Sequence, residues 1–302
     1  METILELKTI SEIAKVIPGW KTAHPMVAVI DFSKIDEHLE EGTRLRADFY
    51  SLMFKNYCAN TLIYGRQSSD FQEGSLICIA PKHVLALDNK IEKKEEMIGW
   101  GLFFHPDLLH GTPLGAKMKQ YNFFSYQITE ALHLSEKEQA VLNQCLTNIK
   151  NELEQNIDTH SEGLILSNIE LLLNYCLRYY GRQFVTRKKS NLHVLIQVEN
   201  LLKDYFYDSK GRQIGLPTVK YIADKLCLSP GYLSDLLKKE TGLNTQDHIH
   251  YYLIEEAKTI ISTTDFSVSQ VAYTLGFEYP QYFSRLFKLK TGRTPSEFRN
   301  IN

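Results

Sequence analysis

The feature that most constrains this 302-residue chain is a pattern written twice in its last third. The first copy reads Val219-Lys220-Tyr221-Ile222-Ala223, then Leu226-Cys227-Leu228-Ser229-Pro230-Gly231-Tyr232-Leu233-Ser234, then Leu237-Lys238 and Thr241-Gly242. The second reads Val268-Ser269-Gln270-Val271-Ala272, then Leu275-Gly276-Phe277-Glu278-Tyr279-Pro280-Gln281-Tyr282-Phe283-Ser284, then Phe287-Lys288 and Thr291-Gly292. Ala223 and Ala272 lie 49 positions apart and Tyr232 and Tyr282 lie 50 apart, so the second copy has one extra residue in its turn. One supersecondary unit is therefore expected to be built twice.

Each copy has the grammar of a helix-turn-helix. A small residue on the first helix, Ala223 or Ala272, lets the second helix cross closely, and Leu226 or Leu275 ends the first helix in the core. The second helix opens with Pro at its first position, where a missing N–H costs nothing. Ser229 is a good N-cap, whereas Tyr279 in the equivalent place is a poor one, so tertiary contacts must hold that start. Leu233, Leu236 and Leu237 are expected to face inward in copy one, and Phe283, Leu286 and Phe287 in copy two. Gly242 and Gly292 supply left-handed C-caps. The units span about residues 218–242 and 267–292. Between them Ile249, Tyr252, Leu253, Glu256 and Ala257 recur at helical spacing, which predicts one helix over about residues 245–262. Roughly 18 helical residues make a rod of about 27 Å. Such a rod suits two recognition helices held near the roughly 34 Å of one DNA turn.

Upstream the pattern differs. From about residue 25 to 130 short apolar runs are punctuated by Gly, Pro, Asn or Asp: Val27–Ile30, Phe49–Phe54, Thr61–Tyr64, Ser75–Ala80 and Met97–Phe104. That spacing predicts a β sandwich or barrel. Ser135-Glu136-Lys137-Glu138 is a capping box opening a helix that carries Val141, Leu142, Cys145, Leu146, Ile149 and Leu153. A second helix is expected from about Ser161 to Tyr180, its apolar face wide enough to pack on the β unit, on a partner subunit, or on both. The basic, aperiodic stretch 181–192 reads as a linker. The expected fold class is α+β: a β-rich domain over residues 1–180 with two flanking helices at about 135–180, then an all-α domain over 193–302.

The run Gly276-Phe277-Glu278-Tyr279-Pro280-Gln281-Tyr282-Phe283-Ser284-Arg285-Leu286-Phe287-Lys288, followed by Thr291-Gly292-Arg293-Thr294-Pro295-Ser296-Glu297-Phe298-Arg299, closely resembles the AraC/XylS family of bacterial transcription regulators. The family's signature there is Gly-Phe, then Tyr-Phe-x-Arg-x-Phe-Lys, then Gly-x-Thr-Pro and a terminal aromatic-Arg. The resemblance covers about residues 193–302. More loosely, Gly74–Pro81 and Gly101–Leu109 resemble stretches of the cupin-like sensor domains common in that family. The resemblance implies that the exposed face of each second helix enters the major groove of promoter DNA. By position this names Gly231, Tyr232, Ser234, Asp235 and Lys238 in copy one, and Pro280, Gln281, Tyr282, Ser284, Arg285 and Lys288 in copy two. Lys239, Lys290 and Arg293 are further candidates for phosphate contacts. Arg285 can bond guanine O6 and N7, Gln281 can serve adenine, and Tyr can pack on a thymine methyl or bond a phosphate. Asp235 stands where several relatives carry Arg, so copy two is expected to supply more of the affinity. The resemblance further implies a small-molecule effector for the first domain, a homodimer, and RNA polymerase as another partner.

Charge agrees in direction. After residue 180 there are 17 Lys/Arg against 12 Asp/Glu, and before it 17 against 24, a basic third beside an acidic remainder. No apolar run approaches the roughly 18 residues of a membrane span, and Glu2 and Glu6 open the chain without a signal-like core, so a cytoplasmic location is expected. The five cysteines Cys58, Cys78, Cys145, Cys176 and Cys227 form no Cys-x-x-Cys pair and are expected as buried, reduced thiols. His24, His38, His83, His105 and His110 form no His-x-His pair, and no nucleophile motif or phosphate-cradling glycine loop occurs. Neither an enzyme nor a cofactor or metal is expected. A protein–protein adaptor using the paired helices as a scaffold is the rival reading. Arg44, Arg46, His83 and Trp100 lie where an effector site would be sought, with surface or core as their alternative.

Overall fold

A computed structural model of the chain describes residues 4–17, 20–34, 44–55, 63–64, 67–68, 74–86, 99–155, 158–207 and 215–300. It divides into two units, Met1–Gln183 and Phe184–Asn302. No helix among the described residues is long and apolar enough to cross a membrane.

The strands of the first unit are β1 (Ile4–Leu7), β2 (Val27–Asp31), β3 (Arg44–Ala47), β4 (Tyr50–Lys55), β5 (Ile63–Tyr64), β6 (Gln67–Ser68), β7 (Ser75–Ile79), β8 (Val84–Ala86), β9 (Gly99–Phe104) and β10 (Leu132–His133). They form sheets of order β10-β7-β4-β9-β2, β1-β3-β8 and β5-β6, and among the described residues no ladder joins these into a closed barrel. The five-stranded sheet is antiparallel throughout. Alternation decides its faces. Tyr50, Leu52 and Phe54 stand opposite Phe104, Leu102 and Trp100. Leu52, Leu102 and Phe104 are fully buried.

Helices α1 (Pro113–Lys117), α2 (Glu136–Glu154) and α3 (Ser161–Thr186) follow. The capping box at Ser135 is present, Ser135 N–H donating to Glu138 Oε2 at 2.9 Å. Trp100 Nε1–H donates to Asn143 Oδ1 of α2 at 2.8 Å, and Tyr180 of α3 stacks on Phe123 at 5.4 Å.

Several expectations need correction. Residues 105–130, read as β-rich, form α1 and short 3-10 turns, because side chains cap the backbone locally: Asp107 N–H donates to His105 Nδ1 and Gly115 N–H to Thr112 Oγ1. The stretch 181–192, read as an aperiodic linker, contains the boundary between the two units and is almost entirely helical. α3 continues to Thr186 and α4 (Lys188–Tyr207) begins two residues later. Two buried residues carry the helix past Tyr180. Gln183 accepts from His133 N–H and donates to the Ala131 carbonyl, and Phe184 is 5% exposed. Cys78, Cys145 and Cys176 are buried, but Cys227 is exposed. Cys58, His38, Thr61, Leu62, Met97 and Ile98 lie outside the described residues.

The second unit is helical: after α4 come α5 (Val219–Lys225), α6 (Pro230–Thr241), α7 (Thr245–Thr263), α8 (Val268–Thr274), α9 (Pro280–Thr291) and α10 (Pro295–Arg299). The two copies fold alike. Ala223 and Ala272 are completely buried. Across each turn a backbone N–H, of Leu228 or Phe277, donates to that alanine's carbonyl at 3.0 Å. The turn residue is left-handed in both: Cys227 at φ 55° and Gly276 at φ 92°. Ser229 caps α6 by accepting from Tyr232 N–H, whereas Tyr279 makes no side-chain cap and its ring instead meets Tyr282. Leu233, Leu236, Leu237, Phe283 and Phe287 are buried, Leu286 half-buried.

Gly276 faces a second demand besides its φ. A Cβ there would approach the backbone carbonyl carbon of Gly215 to 2.9 Å. Gly276→Ala is therefore expected to destabilise the second unit by about 1–3 kcal/mol, the scale of strained left-handed backbone. Thermal unfolding of the variant beside the wild type checks this; an unchanged midpoint would contradict it.

Candidate nucleic-acid interface

On a helix, positions four and seven residues on share a face. On α9 that face carries Gln281, Arg285 and Lys288, all exposed. Tyr282 beside them is 57% exposed, and Pro280 and Ser284 are half-buried. Phe283 and Phe287 anchor the opposite side, and Phe287 meets Phe298 of α10 edge-on at 5.6 Å. The amide and guanidinium are thus held outward on a helix whose other side is fixed in the core.

The equivalent face of α6 carries Gly231, Asp235 and Lys238. Gly231 and Asp235 are half-buried and Lys238 is exposed. This face has no long neutral donor, and its one cation is matched by a carboxylate. Ser234 shares a hydrogen bond with Thr245 of α7 at 3.1 Å, which ties it into the scaffold. Tyr232 does not stand on the exposed face as its position implied. It is 7% exposed and packs on Phe184 with ring centroids 5.0 Å apart. Asn191 holds that corner by donating to the Phe184 carbonyl at 2.6 Å and to Glu240 Oε1 at 2.8 Å. Among the described residues Tyr282 has no such cover; its ring meets only the edge of Tyr279, and it is exposed where Tyr232 is not.

Of the phosphate candidates, Lys239 and Arg293 are exposed, while Lys290 donates to Asp247 Oδ1 at 3.0 Å. The pair holds the Asp247 carboxyl below its ordinary value, chiefly through that hydrogen bond. Sequence reasoning missed this partner because the two residues lie 43 positions apart. It also missed Leu289, 79% exposed beside the α9 face. Elsewhere, Arg46 pairs with Glu6, and Trp100 is engaged by Asn143. Among the described residues no group of three or more His, Cys, Asp or Glu side chains is placed to hold a metal ion.

A family model for a helix-turn-helix domain matches residues 222–301. Over 78 residues the chain is 40% identical to the arabinose operon regulatory protein of Escherichia coli K12, covering 26% of this chain and 27% of that protein. The family-model match lies wholly within the second unit, where the chain is similar to AraC-type regulators. Another relative, the uncharacterized HTH-type transcriptional regulator YijO of E. coli K12, is 27% identical over 186 residues, 62% of each chain. The chain thus spans less than two thirds of the length of these relatives. A solved structure, the C-terminal domain of the two-component response regulator yesN from Fusobacterium nucleatum, is 32% identical and covers 34% of this chain and 93% of its own, with a TM-score of 0.30.

The second unit also contains two imidazoles held below their ordinary value of 6.5. Burial does this to His248, against the pull of Glu199 and Asp247. Burial and the Lys290 charge do it to His250. A depressed folded-state value means that the unfolded chain takes up protons first as pH falls through 6.5, so folding stability is lost there. Urea unfolding from about pH 7.5 to about 5.5 is expected to show declining stability, and a His248→Gln, His250→Gln variant a flatter profile. Parallel profiles would contradict that assignment.

Proposed function

We propose that this protein is a sequence-specific transcription regulator that reads two successive major grooves of promoter DNA with α6 and α9. The observation that carries this reading is the outward face of Gln281, Arg285 and Lys288 on a helix locked by Phe283 and Phe287. The arrangement offers a pair of donors for guanine, a donor and an acceptor for adenine, and a cation for a phosphate. Copy two supplies most of the affinity, because the matching face of copy one is Gly231, Asp235 and Lys238. Asp235 there selects for a cytosine amino group or against other bases. Tyr232 takes no part in reading and positions α6.

In this reading the first unit is a cupin-like sensor that binds a small molecule and dimerises in the cytoplasm, with RNA polymerase a further partner. Leu164 and Leu171, seven residues apart on α3 and 49% and 45% exposed, support a homodimer contact. An effector controls the protein by favouring one arrangement of its parts. The protein needs no cofactor and catalyses no reaction.

Binding-site selection from random duplexes tests the assignment. Arg285→Ala is expected to cost about 1–3 kcal/mol and to blur preference at one guanine-containing step. Lys288→Ala is expected to weaken all sequences alike and to lower the log-log salt slope by about 0.9. An Arg285→Ala sequence profile identical to the wild type would overturn the assignment of α9 as reader.

A further inference from the structure

Both reading helices are tied to the same turn of α7. On one side, Thr245 shares a hydrogen bond with Ser234 of α6 at 3.1 Å. His248 Nε2 meets Thr241, the last residue of α6, at 2.9 Å. Thr245 is fully buried and His248 nearly so, while Ser234 is half-buried and Thr241 exposed, so the bonds that fasten α6 are partly shielded from water. On the other side, Asp247 accepts from Lys290 in the last turn of α9 at 3.0 Å. This second tie is half-exposed, with 33% and 36% of the two side chains accessible. The α9 backbone packs mainly on α8 and α10 rather than on α7. The bridge to the first turn of α7 is therefore made by side chains.

We propose that the first turn of α7 is the gauge that sets the permitted spacing between the two DNA half-sites, with Asp247 and Lys290 as its positioning residues. The proposal rests on α6 and α9 reading adjacent grooves. An ion pair this exposed adds little to folding stability. Its effect is geometric. One base pair of extra spacing moves a half-site by about 3.4 Å along the duplex axis. Holding the C-terminal end of α9 against the turn that also holds α6 fixes the offset between the two faces. Released from Asp247, α9 tilts about its packing on α8 and meets half-sites one base pair nearer or farther.

The test is selection by the full chain from a duplex library in which two half-sites are separated by variable spacers. Asp247→Asn, Lys290→Met and the charge-swapped pair Asp247→Lys, Lys290→Asp are compared, each with a thermal midpoint matching the wild type. The wild type is expected to discriminate about tenfold against spacers one base pair off, the scale of one mismatched position. Each single variant is expected to reduce this to about threefold, within the range of one exposed ion pair. The swap is expected to restore it. Asp247→Asn is decisive because it frees Lys290. If Asp247→Asn tightens binding to every duplex while the spacer preference stays as in the wild type, Lys290 is a phosphate contact and the gauge is overturned. An unchanged spacer preference in both single variants overturns it as well. A wild type that selects no sequence at all rejects the DNA-reading function itself, a result distinct from both.

Discussion

The second unit depends on how closely two helices cross inside each repeat. Ala223 and Ala272 have no exposed surface, and the residue that leaves each turn donates its N–H to that alanine's carbonyl. A larger side chain at the crossing would push the second helix outward, and a turn without a left-handed residue would not return the chain at this angle. Cys227 and Gly276 both accept that conformation, one at a backbone cost and one without it. Once the crossing is set, the buried leucines of α6 and phenylalanines of α9 fix each helix's rotation about its axis. The residues left facing out follow from this rotation.

Because the two crossings match, the difference between the repeats lies in what their outward faces carry. Gln281, Arg285 and Lys288 present an amide and two cations, whereas Gly231, Asp235 and Lys238 present one cation beside one carboxylate. Two similar scaffolds with unequal faces suit a reader that takes most of its binding energy from one groove and its discrimination from the other. Side chains of both helices bond to the first turn of α7, which ties the two faces to one element.

Much of this was legible from local sequence. The prolines opening α6 and α9, the serine cap on one and its lack on the other, and the glycines ending both are decided within a few residues. So is the capping box at Ser135. Distant pairings were not legible. Tyr232 is buried by Phe184, 48 positions earlier, and no local rule distinguishes it from Tyr282. Gln183 keeps α3 helical beyond Tyr180 by bonding to Ala131 and His133, so a stretch with no apolar period is helix all the same. The short strands β1, β3 and β8 carry too few residues for alternation to show, and they are stabilised by pairing with one another. Gln281, Arg285 and Lys288 stand outward because the anchors of α9, Phe283 and Phe287, are large, buried and near in sequence.

Under the proposed function, α6 and α9 engage one face of duplex DNA one turn apart. Hydroxyl-radical footprinting of the full chain on a selected site tests it most directly. Two protected windows on the same face are expected, centred about 10–10.5 base pairs apart. A single window, or equal protection of unrelated DNA, would contradict it.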